Sequence, residues 1–186
     1  SFSSQIVNNN VKLTWATEQE ENNEGYNIER KSSNEDWINI GFVRGNGTSS
    51  LKHTYTYSDN NLQTGRYQYR LKQMDFNGNF TYYNLNNEVT IGVPVSAMLL
   101  QNYPNPFNPE TIINYQVSKD SKVELKVYNI LGKEVTNIVN EFKPAGFYSV
   151  KFNASSLSSG VYFYRIVIYD NSGVLFSDTK KMQVVK

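Results

Sequence analysis

The sequence predicts an all-β protein built as two β-sandwiches in tandem, and three observations lead there. Tyr (14) and Phe (10) are abundant, and aromatic and β-branched side chains suit a pleated, half-buried surface. Apolar residues alternate with period two along most of the chain, the mark of strands with one face in a core and one in water. Clusters of Asn, Ser, Thr and Gly interrupt that alternation every ~8–12 residues, the spacing of strands in a small sandwich. Convincing helical periodicity appears nowhere.

In the first half, "VKLTWAT" puts Val11, Leu13 and Trp15 on one face and Lys12 and Thr14 on the other. "YNIER" groups Tyr26, Ile28 and Arg30; "WINIGFV" groups Ile38, Ile40 and Phe42; "HTYTYSD" pairs Tyr55 with Tyr57. "GRYQYRLKQMD" aligns Tyr67, Tyr69 and Leu71 against Arg66, Gln68 and Arg70. Turn signals separate these runs at "NNEG", "SSNED", "RGNGTSS", "NNLQTG" and "FNGN". With "FSSQIV" before and "FTYYNLNNEV" after, about seven strands result, as many as a small sandwich needs.

The second half supplies "TIINYQV", "SKVELKVYNI", "KEVTNIV", "GFYSVKFN", "GVYFYRIVIYD", "GVLFSDTKK" and "MQVVK" as strand-like runs. Val123, Leu125 and Val127 share a face, with Lys122, Glu124 and Lys126 opposite. The expected division is a sandwich over residues 1–92, a linker over 93–102 and a second sandwich over 103–186.

Between them lies "QNYPNPFNP", residues 101–109, which holds three of the chain's five prolines. Each proline fixes its φ, lacks an N–H and pushes its predecessor towards extended backbone. Such a run is a poor central strand and a good stiff lead-in or edge segment. Tyr103 and Phe107 bracket it and are its expected anchors.

Charge excludes several classes. Lys plus Arg number 18 against 17 for Asp plus Glu, without the basic excess that phosphate neutralisation demands of a nucleic-acid binder. No apolar run approaches the ~20 residues that span a bilayer as a helix. The opening "SFSSQIVNNN" has neither the basic nor the apolar region of a signal peptide, so residue 1 is expected to be internal to a longer precursor. There are no cysteines, which removes disulfides, thiolate metal sites and a cysteine nucleophile.

"NYPNPFNPETIINYQV", then "VELKVYNILGKEV", "PAGFYSVKFNASSLSSGVYFYRI" and "TKKMQVVK", resemble the type A C-terminal sorting domain of the type IX secretion system. The immunoglobulin-like domain of flagellar hook-capping proteins is similar. The resemblance covers residues 99–186 and implies an address label, read by an outer-membrane translocon after periplasmic transit and then removed or exchanged by a sortase-like peptidase. The protein would end at the cell surface or outside the cell. Its motifs fall on Tyr103, Pro104, Asn105, Pro106 and Phe107; on Gly146 with Tyr148; on Gly160 with Tyr162; and on Lys180, Lys181, Val184, Val185 and Lys186. Residues 1–92 resemble a fibronectin type III-like domain, with Trp15 at the core tryptophan and Tyr67 suited to a tyrosine corner, whose hydroxyl bonds back to the backbone.

Sites of other kinds have little support. The single histidine, His53, opens a strand with no nucleophile-bearing turn beside it, so no enzyme activity and no cofactor are expected. Glu18, Glu20, Glu21 and Glu24 lack the spacing of a calcium loop and read as a solvated loop. The adjacent Tyr82 and Tyr83 must point to opposite faces, exposing one. Gly160 reads as a turn residue with a backbone other residues avoid, and the terminal lysines suit a protected edge or a docking strand. The favoured reading is a non-enzymatic spacer plus secretion and surface-anchoring signal. Its rivals are a fibre or surface-layer subunit that self-associates through edge strands, and a carbohydrate-binding appendage of a secreted hydrolase.

Overall fold

The computed structural model describes residues 1–32 and 35–186, so the turn expected in "SSNED" lies partly outside the described residues. Fifteen strands and no helix occur among these residues, and the sheets are antiparallel. The chain forms two compact units, Ser1–Gly92 and Val93–Lys186.

The first unit holds β1 (Phe2–Val7), β2 (Asn10–Thr17), β3 (Glu20–Ser32), β4 (Ile38–Ser49), β5 (His53–Asp59), β6 (Gly65–Asp75), β7 (Phe80–Asn84) and β8 (Val89–Ile91). One sheet runs β1-β2-β5; the other runs β4-β3-β6-β7, with β8 also on β6. The alternation read from the sequence supplies the core: Val11, Leu13, Trp15, Tyr26, Ile28, Tyr69 and Leu71 are each at most 2% exposed. Burying each such side chain stabilises by roughly 1.5–3 kcal/mol. Trp15 stacks on Tyr55 and meets Tyr26 edge-on, with ring centroids 5.5 and 5.3 Å apart.

Two buried polar clusters tie the sheets together. Arg30 Nη1 of β3 donates to both carboxylate oxygens of Asp59 on β5, at 2.9 and 2.8 Å, and Tyr69 of β6 donates to the same carboxylate at 2.8 Å. Glu20 centres the second. It is only 6% exposed and accepts hydrogen bonds from the hydroxyls of Thr17 and Tyr55, the side-chain amide of Asn23 and the backbone N–H of Asn46. The acidic segment is therefore no solvated loop: β3 starts at Glu20, and only its neighbours Glu18, Glu21 and Glu24 face water.

Strand β4 departs from the expected pattern. Ile38 and Phe42, read as one core face with Ile40, are 47% and 48% exposed. Against β3, the pairing shifts between Ile28 and Glu29: Ile28 pairs with Gly41 but Glu29 with Asn39. One extra residue in a strand turns every later side chain to the other face, so Val43 faces inward and Phe42 outward. The inward glycine is required, because the Tyr57 ring occupies the space a Cβ at Gly41 would take.

The second unit holds β9 (Met98–Leu99), β10 (Glu110–Val117), β11 (Ser121–Asn129), β12 (Glu134–Lys143), β13 (Gly146–Asn153), β14 (Gly160–Asp170) and β15 (Gly173–Val184). One sheet is ordered β13-β10-β9 and the other β12-β11-β14-β15. Its core draws on both: Ile113, Tyr115 and Val117 face Val123, Leu125, Val127, Tyr164, Ile166 and Ile168. Opposite that core face, Glu124 pairs with Lys122 and Lys126 at 3.2 and 3.6 Å.

Two boundaries move. "GVLFSDTKK" and "MQVVK" form one continuous strand, β15, because Met182 and Val184 keep the inward register of the strand and are at most 1% exposed. The expected linker over 93–102 is partly structural: Met98 and Leu99 pair with Gln116 and Tyr115 of β10, and Leu99 and Asn102 are buried.

Candidate functional site

The proline run is built into the second unit beside the last strand. Strand β15 ends its sheet, so one row of its backbone N–H and C=O groups has no strand partner, a liability natural sheets must cover. Residues 101–107 cover the C-terminal part of that row. Phe107 donates its N–H to Gln183 O and accepts from Val185 N–H, both at 3.0 Å, forming a parallel bridge to Val184. The Asn105 side chain imitates a strand residue: its Oδ1 accepts Gln183 N–H at 2.9 Å and its Nδ2 donates to Lys181 O at 3.4 Å. Gln101 Nε2 donates to the same Lys181 carbonyl at 2.8 Å. Side chains take over here because prolines carry no N–H with which to continue a ladder. The Tyr103–Pro104 and Asn105–Pro106 peptide bonds are cis.

Below the run, Asn102 is 1% exposed and organises its turn. Its N–H donates to Tyr164 Oη at 2.8 Å, and its Nδ2 donates to Pro104 O at 3.1 Å and Thr111 Oγ1 at 2.9 Å. Thr111 in turn donates to Pro104 O, and Tyr164 to Leu100 O. Burial pushes the Tyr164 hydroxyl up to about 12, so it stays a donor at neutral pH. Both expected anchors hold the run, by different means: Phe107 is 3% exposed with its ring edge-on to Phe152, whereas Tyr103, 80% exposed, is held by its backbone, which exchanges two 3.0 Å hydrogen bonds with Ile112 of β10.

The candidate residues fall into two places. Tyr103 to Phe107 meet the segment Lys180 to Lys186, and β14 brings Gly160 opposite Val184 and Tyr162 opposite Met182. Val184 is core, while Lys181, Val185 and Lys186 are exposed. Lys180 is half-buried and lies 3.4 Å from Asp178. Lys186 donates from its N–H to Ser159 Oγ and from Nζ to Ser155 O, closing onto the "SSLSSG" loop. Gly146 and Tyr148 lie elsewhere: Gly146 pairs with Val117, at the end of β10 remote from Thr111.

A shared local device explains the two Gly-x-Tyr motifs. Tyr148 Oη donates to Pro144 O at 2.6 Å and Tyr162 Oη to Ser158 O at 3.1 Å, each four residues back. Tyr67, after Gly65 in the first unit, does the same to Gln63 O at 2.9 Å. In all three the hydroxyl pins the turn entering a strand. Gly160 itself has a positive φ, +159°, and a Cβ there would meet Tyr162 at an ordinary 3.9 Å. The space is open, but that φ lies in the range L side chains rarely adopt, so the turn keeps the glycine it was expected to need.

Gln101, Asn102, Thr111 and Tyr164 escaped the sequence reading. The only signal was the polar "QN" ahead of "YPNP", uninterpretable until the chain end is known to lie beside it. Elsewhere, His53 Nε2 sits 2.7 Å from Ser49 Oγ, whose oxygen also accepts Leu51 N–H. No carboxylate bonds that imidazole and no metal-ligand cluster occurs among the described residues.

One consequence of this arrangement is local. Asn105→Ala is expected to cost about 1 kcal/mol, the net value of an ordinary hydrogen bond, and to speed amide exchange at Gln183 while the amides of Val123 and Leu125 keep their protection. Hydrogen exchange resolved by residue checks this; an unchanged Gln183 rate would remove Asn105 from the role of edge cover.

Residues 101–182 match the family model described as a secretion system C-terminal sorting domain. No curated protein sequence matches the chain. Among solved structures, dimeric latent PorU from Porphyromonas gingivalis aligns at 16% identity and TM-score 0.42, covering 100% of this chain and 20% of that one. The FN1–FN3 domains of chicken CNTN1 align at 14% identity and TM-score 0.35, covering 100% of this chain and 66% of theirs. A tetra-tandem repeat from the extending region of a large adhesion protein aligns at 16% and 0.34, covering 99% and 48%. This chain thus spans a fifth of the PorU chain. Over residues 101–182, most of its second unit, the chain matches the family of secretion system C-terminal sorting domains.

Proposed function

We propose that the second unit is the signal that directs an exported protein through the type IX system to the cell surface, and that the first is a fibronectin type III-like spacer ahead of it. The match of residues 101–182 to the sorting-domain model carries this reading. The partners would be the outer-membrane translocon and a sortase-like peptidase. The surface they read would be the composite of residues 101–107 with the end of β15, where the chain offers exposed Tyr103, Lys181, Val185 and Lys186. Domains of both kinds are generally non-catalytic, and the role proposed is not enzymatic. In the described residues no helix is long and apolar enough to cross a membrane.

A reporter with a signal peptide, fused ahead of the entire 186-residue chain in a host with a type IX system, is expected at the surface or in the medium. The same reporter fused to residues 1–92 should stay in the periplasm. Lys181→Ala with Lys180→Ala, at positions whose loss costs under about 0.5 kcal/mol, should reduce export while leaving the protein folded. Full export of the 1–92 fusion, or none of the whole-chain fusion, would overturn the assignment.

A further inference from the structure

The inner face of the first unit changes character along β6. Tyr67, Tyr69 and Leu71 are buried, yet the next two residues of the same face are Gln73 and Asp75. On the neighbouring strand β7, Thr81 pairs with Gln73 and Tyr83 with Leu71, so these side chains share that inner face. A sandwich interior normally requires apolar residues there. Instead the facing sheet stops at β1, and a cleft of about 1120 Å³ opens between Phe2 and Trp15 on one wall and Gln73, Asp75, Thr81 and Tyr83 on the other. That is why both adjacent tyrosines are exposed: Tyr82 looks outward and Tyr83, 47% exposed, looks into an uncovered interior.

We propose that this cleft binds a neutral glycan chain, a reading independent of the sorting assignment. Gln73, Asp75, Thr81 and Tyr83 make no side-chain hydrogen bond among the described residues, and polar groups so placed are available to a ligand. Carboxylate and amide groups match the paired donors and acceptors of vicinal hydroxyls. The Tyr83 ring offers an apolar surface with a polar tip for the C–H face of a pyranose. Charge selects within that class. Glu20, Glu21 and Asp75 border the cleft and no Lys, Arg or His side chain does among the described residues, so its side chains disfavour phosphate, sulfate and uronate ligands. The volume slightly exceeds the ~300–1,000 Å³ typical of small-molecule pockets, room enough for an oligosaccharide rather than one sugar.

Isothermal titration of the whole chain with cellohexaose, xylohexaose, mannohexaose and laminarihexaose tests this. At least one should bind saturably with a millimolar or tighter Kd, and hexagalacturonate should not. Tyr83→Ala and Asp75→Asn should each weaken binding about tenfold or more, near 1.4 kcal/mol, with an unchanged melting midpoint; Tyr83→Phe, which keeps the ring, should retain most of it. Absence of binding to every neutral chain, equal binding of hexagalacturonate, or affinity that survives both Tyr83→Ala and Asp75→Asn would overturn the proposal.

Discussion

Glu20→Ala is expected to lower the stability of the first unit by about 3–5 kcal/mol. Removing the carboxylate strands the Tyr55 hydroxyl and an Asn23 amide N–H in a buried place and frees the part-buried Asn46 N–H, and each unsatisfied buried donor costs roughly 1–3 kcal/mol. Domains of this size are stable by only about 5–15 kcal/mol, so the loss is a large share. Both tryptophans, Trp15 and Trp37, lie in the first unit, and their fluorescence during urea denaturation of the whole chain reports that unit alone. A change below about 1 kcal/mol would show that the cluster contributes little.

The same cluster sets a pH dependence. Burial pushes the Glu20 carboxyl up, but the bonds from Tyr55, Asn46, Asn23 and Thr17 outweigh burial and hold it below its ordinary 4.5. Tyr55 is pushed up to about 12, by burial and then by Glu20, and remains the donor. A carboxyl whose folded value is depressed stabilises fully above its unfolded value and loses that contribution as pH falls through the folded one. The urea midpoint should therefore decline below pH 4.5, and Glu20→Gln, lower at neutral pH, should flatten that decline.

Phe107→Ala should destabilise the second unit by about 3–5 kcal/mol, the usual cost of emptying a buried phenylalanine site. The ring is packed against Phe152, and the backbone at 107 joins the run to β15. Exchange of the Val123, Leu125 and Val127 amides, which requires global opening, should accelerate by about two to nearly four orders of magnitude, tenfold per 1.4 kcal/mol. Gln183 and Val185 should become freely exchanging first. Retained protection at Val185 would mean that Phe107 does not hold the terminal strand.

Much of the fold was legible because period-two alternation reports burial directly. Val11, Leu13, Trp15 and Val123, Leu125, Val127 needed only their spacing. The reading failed where one residue changes the phase, as at the β4 bulge that turns Phe42 outward. It failed again where a charged residue is buried by remote partners: Glu20 looks like any exposed glutamate until Tyr55 and Asn46 arrive from other strands.

The candidate surface shows the same division. Proline chemistry alone determined that residues 101–109 could not be a central strand, and the final lysines determined that the last strand would carry charge. That these two segments, some 80 positions apart in sequence, form one surface was decided only by the tertiary structure. The reason is physical: an edge strand takes whatever donor or acceptor is delivered to it. The amides of Gln101 and Asn105 have no preferred partner in sequence, and become strand-like only where β15 ends its sheet.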